Sequence, residues 1–366
     1  MHHDAVASSY GRKTGRPRHV AFAFGHNWVI LAVWVPLPWN PTRGVAIPIL
    51  FRLYRSKKLC PASDYKKRTT LALELFKVLL EWNVELGRRL TLITDSEYAC
   101  RTIVKHLPAA VTFIGPVVMN AALFDFPSPQ QKPGRGAPRK RGDRLPTPAQ
   151  LITDPSYPWV ETTVTMYGRS VVVLVKTVTC LWYQVAGLRP VRLVITRDPK
   201  GHFGDRVFFC TDKDLPVVDV LRLFCCRWSL KVTFFNTKQL LGLEDPRNGW
   251  GLLKNRRRGE KRTGPQPRDD KGRKAVEPTV PCLLYLYGLV YVWYFENGKP
   301  DQDVARARFL APWYRHKREP SFADMLDALR RDLTASTEFF MHPDESRGMQ
   351  QFTSASERLM ATACDG

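Results

Sequence analysis

Residues 27–37 (NWVILAVWVPL) form an apolar run rich in β-branched and aromatic side chains and closed by prolines. That composition predicts a strand, and residues 45–54 (VAIPILFRLY) predict its neighbour. From 65 to 86 the period changes: Leu71, Leu75, Val78, Leu79 and Trp82 recur at the spacing of one helix face, which places them on a core. Residues 89–95 (RLTLITD) return to a short buried strand that ends on an acid, Asp95. Strand, strand, helix, strand is an α/β order.

From 126 to 147 the pattern gives way to a loop rich in Pro and Gly, carrying Lys132, Arg135, Arg139, Lys140, Arg141 and Arg144. Four β-rich runs follow at 159–164, 170–183, 191–197 and 206–211, and they predict a β insertion with no long helix. Within it, Trp182 and Tyr183 end an apolar run; packing in the sheet is favoured for Trp182 over stacking on an extruded base. Helical periodicity resumes over 217–241 and is stopped by Gly242 and Pro246. A charged segment at 254–274 predicts a mobile loop. The apolar stretch 280–295 falls short of the roughly 20 residues of a spanning helix and opens beside Pro281, so a buried helix is expected instead of a membrane span. A basic stretch at 313–318 (WYRHKR) and an amphipathic helix over 322–333 precede a patternless tail. The expected division is 1–125 for the first part of an α/β core, 126–212 for the basic loop and β insertion, 213–250 for a second helical part of the core, and 251–366 for a basic loop and helical tail.

Charge narrows the function. The 366 residues carry a formal charge of +22, far more than solubility requires, and a polyanion is the leading partner. The eight cysteines show no C-x-x-C spacing, which excludes the common zinc and redox motifs and predicts reduced thiols. The first residues carry no apolar run for a signal peptide, so a cytoplasmic location is expected.

Two places could carry chemistry. Asp95, at the carboxyl end of a strand, sits where α/β sheets place reactive groups, although Asp-Ser is equally a helix N-cap. On the helix at 217–241, Arg227, Lys231 and Lys238 fall within about 40° of one another at roughly 100° per residue. No acid intervenes between Asp219 and Glu244, so a cationic stripe beside Phe224, Leu230 and Phe234 predicts phosphate contact.

This helix resembles the last catalytic helix of the DDE transposases of bacterial insertion sequences, whose signature is Tyr-x2-Arg-x3-Glu-x6-Lys. Here it reads Phe224-x2-Arg227-x3-Lys231-x6-Lys238, followed by T-K-Q-x-L-G-L-E-D-P. The strand ending in Asp95, the basic loop at 134–140 and the tail around APWYRHKREPSFADMLDALRR match as well. The resemblance implies an RNase H-like α/β core with a β-rich insertion and a helical C-terminal tail. It further implies metal-dependent cutting and joining of DNA ends, with Asp95 as a Mg²⁺ ligand. Arg227, Lys238, Arg135, Arg139, Lys140 and Arg141 would be the residues on the phosphates of double-stranded DNA, bound by a possible homodimer.

Two departures qualify that expectation. Lys231 stands where the family has its catalytic Glu, and the strand that carries the first Asp would precede Met1, so the chain is expected to lack it and to leave an unpaired apolar edge on 27–37. A Lys⁺ about 4 Å from Mg²⁺ is repelled by on the order of 8 kcal/mol at an effective dielectric of 20. Neither Glu97 nor Asp4 is placed to substitute. Impaired catalysis is the expectation; a DNA-binding remnant or inhibitor of transposition is the alternative, and an RNA-binding structural protein is more remote.

Overall fold

The computed structural model describes residues 4–8, 21–25, 27–58, 60–127, 139–243 and 270–340. The chain divides into two compact units between Tyr285 and Leu286.

The first unit is mixed α/β. Its described strands are β1 (Asp4–Ser8), β2 (Ala21–Gly25), β3 (Asn27–Leu37), β4 (Asn40–Tyr54), β5 (Thr91–Ile93), β6 (Thr112–Pro116), β7 (Leu123–Phe124), β8 (Arg144–Leu145), β9 (Val160–Met166), β10 (Arg169–Cys180), β11 (Val191–Arg197) and β12 (Arg206–Cys210). Six of them make one sheet in the order β5-β6-β12-β11-β10-β9. The β5–β6 pair is parallel and the other pairs are antiparallel. The four runs expected to form an insertion therefore do not make a sheet of their own: β12 pairs directly with β6, through Phe209 opposite Gly115.

Burial on both faces explains the unbroken apolar runs. In β11, Val191, Leu193 and Ile195 join one core with Phe113 and Phe209. Val194 points the other way and packs with Ile114, Val175, Val220 and Leu221. The first core is roofed by helices α1 (Arg68–Leu86), α2 (Arg101–Val104), α3 (Pro148–Thr153) and α4 (Tyr183–Ala186), the second by α5 (Val217–Cys226). Trp182 lies in the first core, 5% exposed, with its ring edge-on to Phe209 at 5.1 Å, so it is closed to a stacking base. Trp82, expected on the core face of α1, is instead 48% exposed, because the helix buries Leu71, Leu75 and Phe76 and turns its last two turns outward.

β3 and β4 form a separate hairpin. Leu31 pairs with Leu50 and Ala32 with Pro48, so Ile49 bulges out where Pro48 has no N–H to give the ladder. The Ile49 carbonyl accepts a hydrogen bond from the Tyr285 hydroxyl at 2.9 Å. Val29 packs on Leu71 and Leu75 of α1. Trp28 and Ile30, on the opposite face, pack with Phe51, Leu284 and Phe234, the last from α6 (Ser229–Leu240). Among the described residues β3 pairs with β4 alone and β5 with β6 alone.

Helix α7 (Asp270–Asn297) already includes residues 270–274, assigned above to a mobile loop, and it ends in the second unit. Its residues Glu277–Asn297 are long and apolar enough to cross a bilayer by composition, but Pro278 and Pro281 lie inside it. Burial is one-sided and not complete as expected: Tyr287, Val290 and Tyr294 are buried, whereas Leu289 is 63% and Val292 48% exposed. The second unit adds α8 (Pro300–Leu310), a 3-10 turn (Pro312–Tyr314) and α9 (Phe322–Phe340). Phe322 stacks between Tyr287 at 4.5 Å and Tyr291 at 5.6 Å. The buried Asp303 carboxylate accepts hydrogen bonds from Tyr294 and Arg331, both at 2.7 Å.

Candidate functional site

β5 ends at Ile93, and the Thr94 N–H still donates to the Ile114 carbonyl at 3.1 Å, carrying the strand edge up to Asp95. There the chain turns. One Asp95 carboxylate oxygen accepts the Glu97 N–H at 3.2 Å and its carbonyl accepts the Ala99 N–H at 3.2 Å. This is an Asx turn and not a helix cap, since α2 begins only after Cys100. Glu97 points to Arg68, with an ion pair at 2.6 Å. The neighbouring Tyr98 hydroxyl is pushed up to about 12 by burial first and then by the Glu97 and Asp95 carboxylates.

The long helix expected over 217–241 is two helices, α5 and α6, joined at Arg227 and Trp228. At the joint the Arg227 and Trp228 N–H groups donate three residues back, to Phe224 at 3.2 Å and Cys225 at 3.0 Å, which tightens the turn. The fully buried Thr233 and Thr237 face the hairpin; the Thr233 hydroxyl donates to the Ala46 carbonyl at 2.7 Å and fixes α6 on β4. That anchorage aims Arg227 and Lys231 at a cleft of about 270 Å³ whose wall also includes Asp95. The Arg227 guanidinium lies 5.4 Å from the Phe224 ring, and its Nε is buried without a hydrogen-bond partner. The Lys231 ammonium sits 4.1 Å over the Trp228 ring.

Of the residues singled out in the sequence, Asp95, Arg227 and Lys231 therefore come together, from segments more than 130 positions apart. Lys238 does not line this cleft, because the tightened joint shifts the register assumed for one straight helix. Arg139, Lys140 and Arg141 are exposed. Arg141 is pinned over Phe124 at 4.1 Å and Tyr183 at 5.5 Å. Arg135 lies outside the described residues.

A second cleft, about 310 Å³, was not foreseen: Trp34, Arg43, Tyr167, Arg222 and Trp228 line it. Tyr167 and Gly168 form the two-residue turn of the β9–β10 hairpin with φ of 52° and 75°. A positive φ at an aromatic residue is uncommon; the Tyr167–Trp228 edge contact at 6.5 Å helps hold it. The Tyr-Gly pair between two β-rich runs was the available signal.

The donor set around Asp95 does not fit Mg²⁺. One carboxylate shares the cleft with two cations, and among the described residues no group of three His, Cys, Asp or Glu side chains could hold a metal ion. One carboxylate beside two cations suits an anionic oxygen, such as a phosphate, better than a divalent cation. Comparison with protein-family models and with curated proteins found no match to this chain.

Proposed function

We propose that this chain is a transposase-family protein of an insertion sequence, built on an RNase H-like core. In this reading it binds double-stranded DNA, at element ends and target, in the cytoplasm and as a dimer on DNA. The observation that carries the reading is the convergence of Asp95, Arg227 and Lys231 on one cleft at the end of a strand. The charge of +22 and the exposed Arg139 and Lys140 support phosphate contact by a second route. Catalysis is impaired in this proposal, because a two-metal reaction needs several carboxylates at fixed points and the described cleft brings one. A non-catalytic DNA-binding remnant or inhibitor is the second reading, favoured by Lys231 in that cleft.

The test uses the full chain with a mixed-sequence duplex, a single-stranded RNA and a supercoiled plasmid. Duplex affinity should fall linearly with log salt, and neither the unmodified chain nor Lys231→Glu should nick plasmid with Mg²⁺ or Mn²⁺. Preference for the RNA, or no salt-sensitive duplex binding, would refute the DNA assignment. Nicking that Asp95→Ala abolishes would refute the loss of catalysis.

A further inference from the structure

The cleft beside Asp95 has a shape that phosphate binding leaves unexplained. Its walls contain three consecutive residues of β3, Val29, Ile30 and Leu31, and three consecutive residues at β5, Leu92, Ile93 and Thr94. A strand that shows a cleft its face contributes every second residue; one that contributes consecutive residues presents its edge. Both edges lack a described partner strand, since β3 pairs only with β4 and β5 only with β6.

The gap is covered above and below in the manner of a sheet interior. On one side α1 bridges it, with Leu75 packed on the hairpin and Phe76 in the core of the six-stranded sheet. On the other side α6 lies against the hairpin and α5 against the sheet, with Leu230 and Phe234 over the cleft. Two facing edges between apolar helix layers present rows of N–H and C=O groups that only extended backbone can satisfy together.

We propose that this cleft accepts an added β-strand from a separate polypeptide, joining the β3–β4 hairpin to the six-stranded sheet. Because both helix layers are apolar, the strand must be apolar on both faces, a continuous run and not an alternating one. Where it passes Arg227 it carries a carboxylate, since the buried Arg227 Nε has no partner and Lys231 adds a second cation. A folded second copy does not fit, because an edge recessed between helices admits only a loose segment. Within the chain, β1 and β2, which precede β3, are paired with each other. The proposal does not depend on DNA binding.

The experiment is amide hydrogen exchange on the full chain with a synthetic peptide: two lysines for solubility, five alternating valine and isoleucine residues, and an aspartate. Two further peptides replace the aspartate by lysine or methylate alternate backbone nitrogens. The expected result is at least tenfold slower exchange confined to the β3 edge and residues 92–94, saturating with the first peptide. At least tenfold weaker binding is expected for each of the other two. No protection at millimolar peptide would overturn the proposal, as would equal binding of the N-methylated peptide, which would reduce the cleft to an apolar groove. Equal binding of the lysine peptide would overturn the carboxylate assignment. Protection that appears on raising protein concentration alone, with a doubled mass, would make the occupant a second copy and also overturn it.

Discussion

Lys176 shows at the residue scale how a cation in a basic protein can be wholly structural. It is 4% exposed, and its ammonium donates to the carbonyls of Leu151, Ile152 and Asp154 at 3.0, 3.1 and 2.9 Å, at the end of α3. The ring of Trp159 lies 4.7 Å away. The ammonium supplies donors to helix carbonyls that have no partner further along the chain and meets the negative end of the helix dipole. Lys176→Met keeps the stem and removes the donors, so it should cost about 2–4 kcal/mol in urea unfolding, with little effect on DNA affinity. The buried thiols give a second prediction at this scale. Burial pushes Cys180 up to about 12 and Cys210 to about 11, against an ordinary value of 9.0. Native Cys180 and Cys210 should therefore resist iodoacetamide at pH 8 while the exposed Cys282 reacts; mass spectrometry of the labelled peptides reads this. Their folded values are raised, so the stability they carry is complete below pH 9 and is lost as pH rises from about 9 toward 11 and 12. A denaturation midpoint that holds or rises over that window would contradict the assignment.

At the scale of elements, α6 is held by a polar seam that a helical wheel would have placed in solvent. Thr233 and Thr237 are fully buried; Thr233 bonds the Ala46 carbonyl across 187 positions, and Thr237 bonds back to the Thr233 carbonyl at 2.7 Å. Thr233→Val keeps the volume and leaves that carbonyl without this donor. A loss of about 1–2 kcal/mol is expected. Because the seam sets where Arg227 and Lys231 point, the same variant should also weaken duplex binding, whereas Lys176→Met should not. Equal effects of the two on DNA binding would mean that α6 does not orient the cleft. The hairpin behaves in a similar way. Its apolar run was plain in the sequence, but the bulge at Ile49, and with it the Tyr285 contact, follows from where Pro48 falls in the register.

For the molecule as a whole, net charge of +22 makes the strength of binding to any polyanion a function of salt. The basic loop separates cations that are available from one that is occupied. Arg139 and Lys140 are exposed, whereas Arg141 is stacked on Phe124 and Tyr183. Replacing Arg139 and Lys140 by Ala should lower the slope of log affinity against log salt by about one per lost phosphate contact, without changing stability. Adding Arg141→Ala should also cost about 0.5–1 kcal/mol of stability through the lost ring contacts. Fluorescence anisotropy across a salt series would read the slope; an unchanged slope in the double variant would mean that the loop does not touch DNA.

The sequence by itself determined the alternation of β-rich and helical segments, the cationic character and the nomination of Asp95, Arg227 and Lys231. Periodicity, charge and residue type are local properties, so a single chain displays them. What lies opposite what is not local. That β12 pairs with β6, making 159–211 part of the main sheet, depends on register between segments about 95 positions apart. That Lys238 leaves the cleft depends on two short hydrogen-bonded turns at Arg227 and Trp228 which apolar periodicity does not show. The open edges of β3 and β5 were half visible: an unpaired edge on 27–37 could be anticipated, but its placement opposite β5 could not. Only the packing of α1 across both layers decides that, because the free energy of those contacts arises between elements and no one element encodes it.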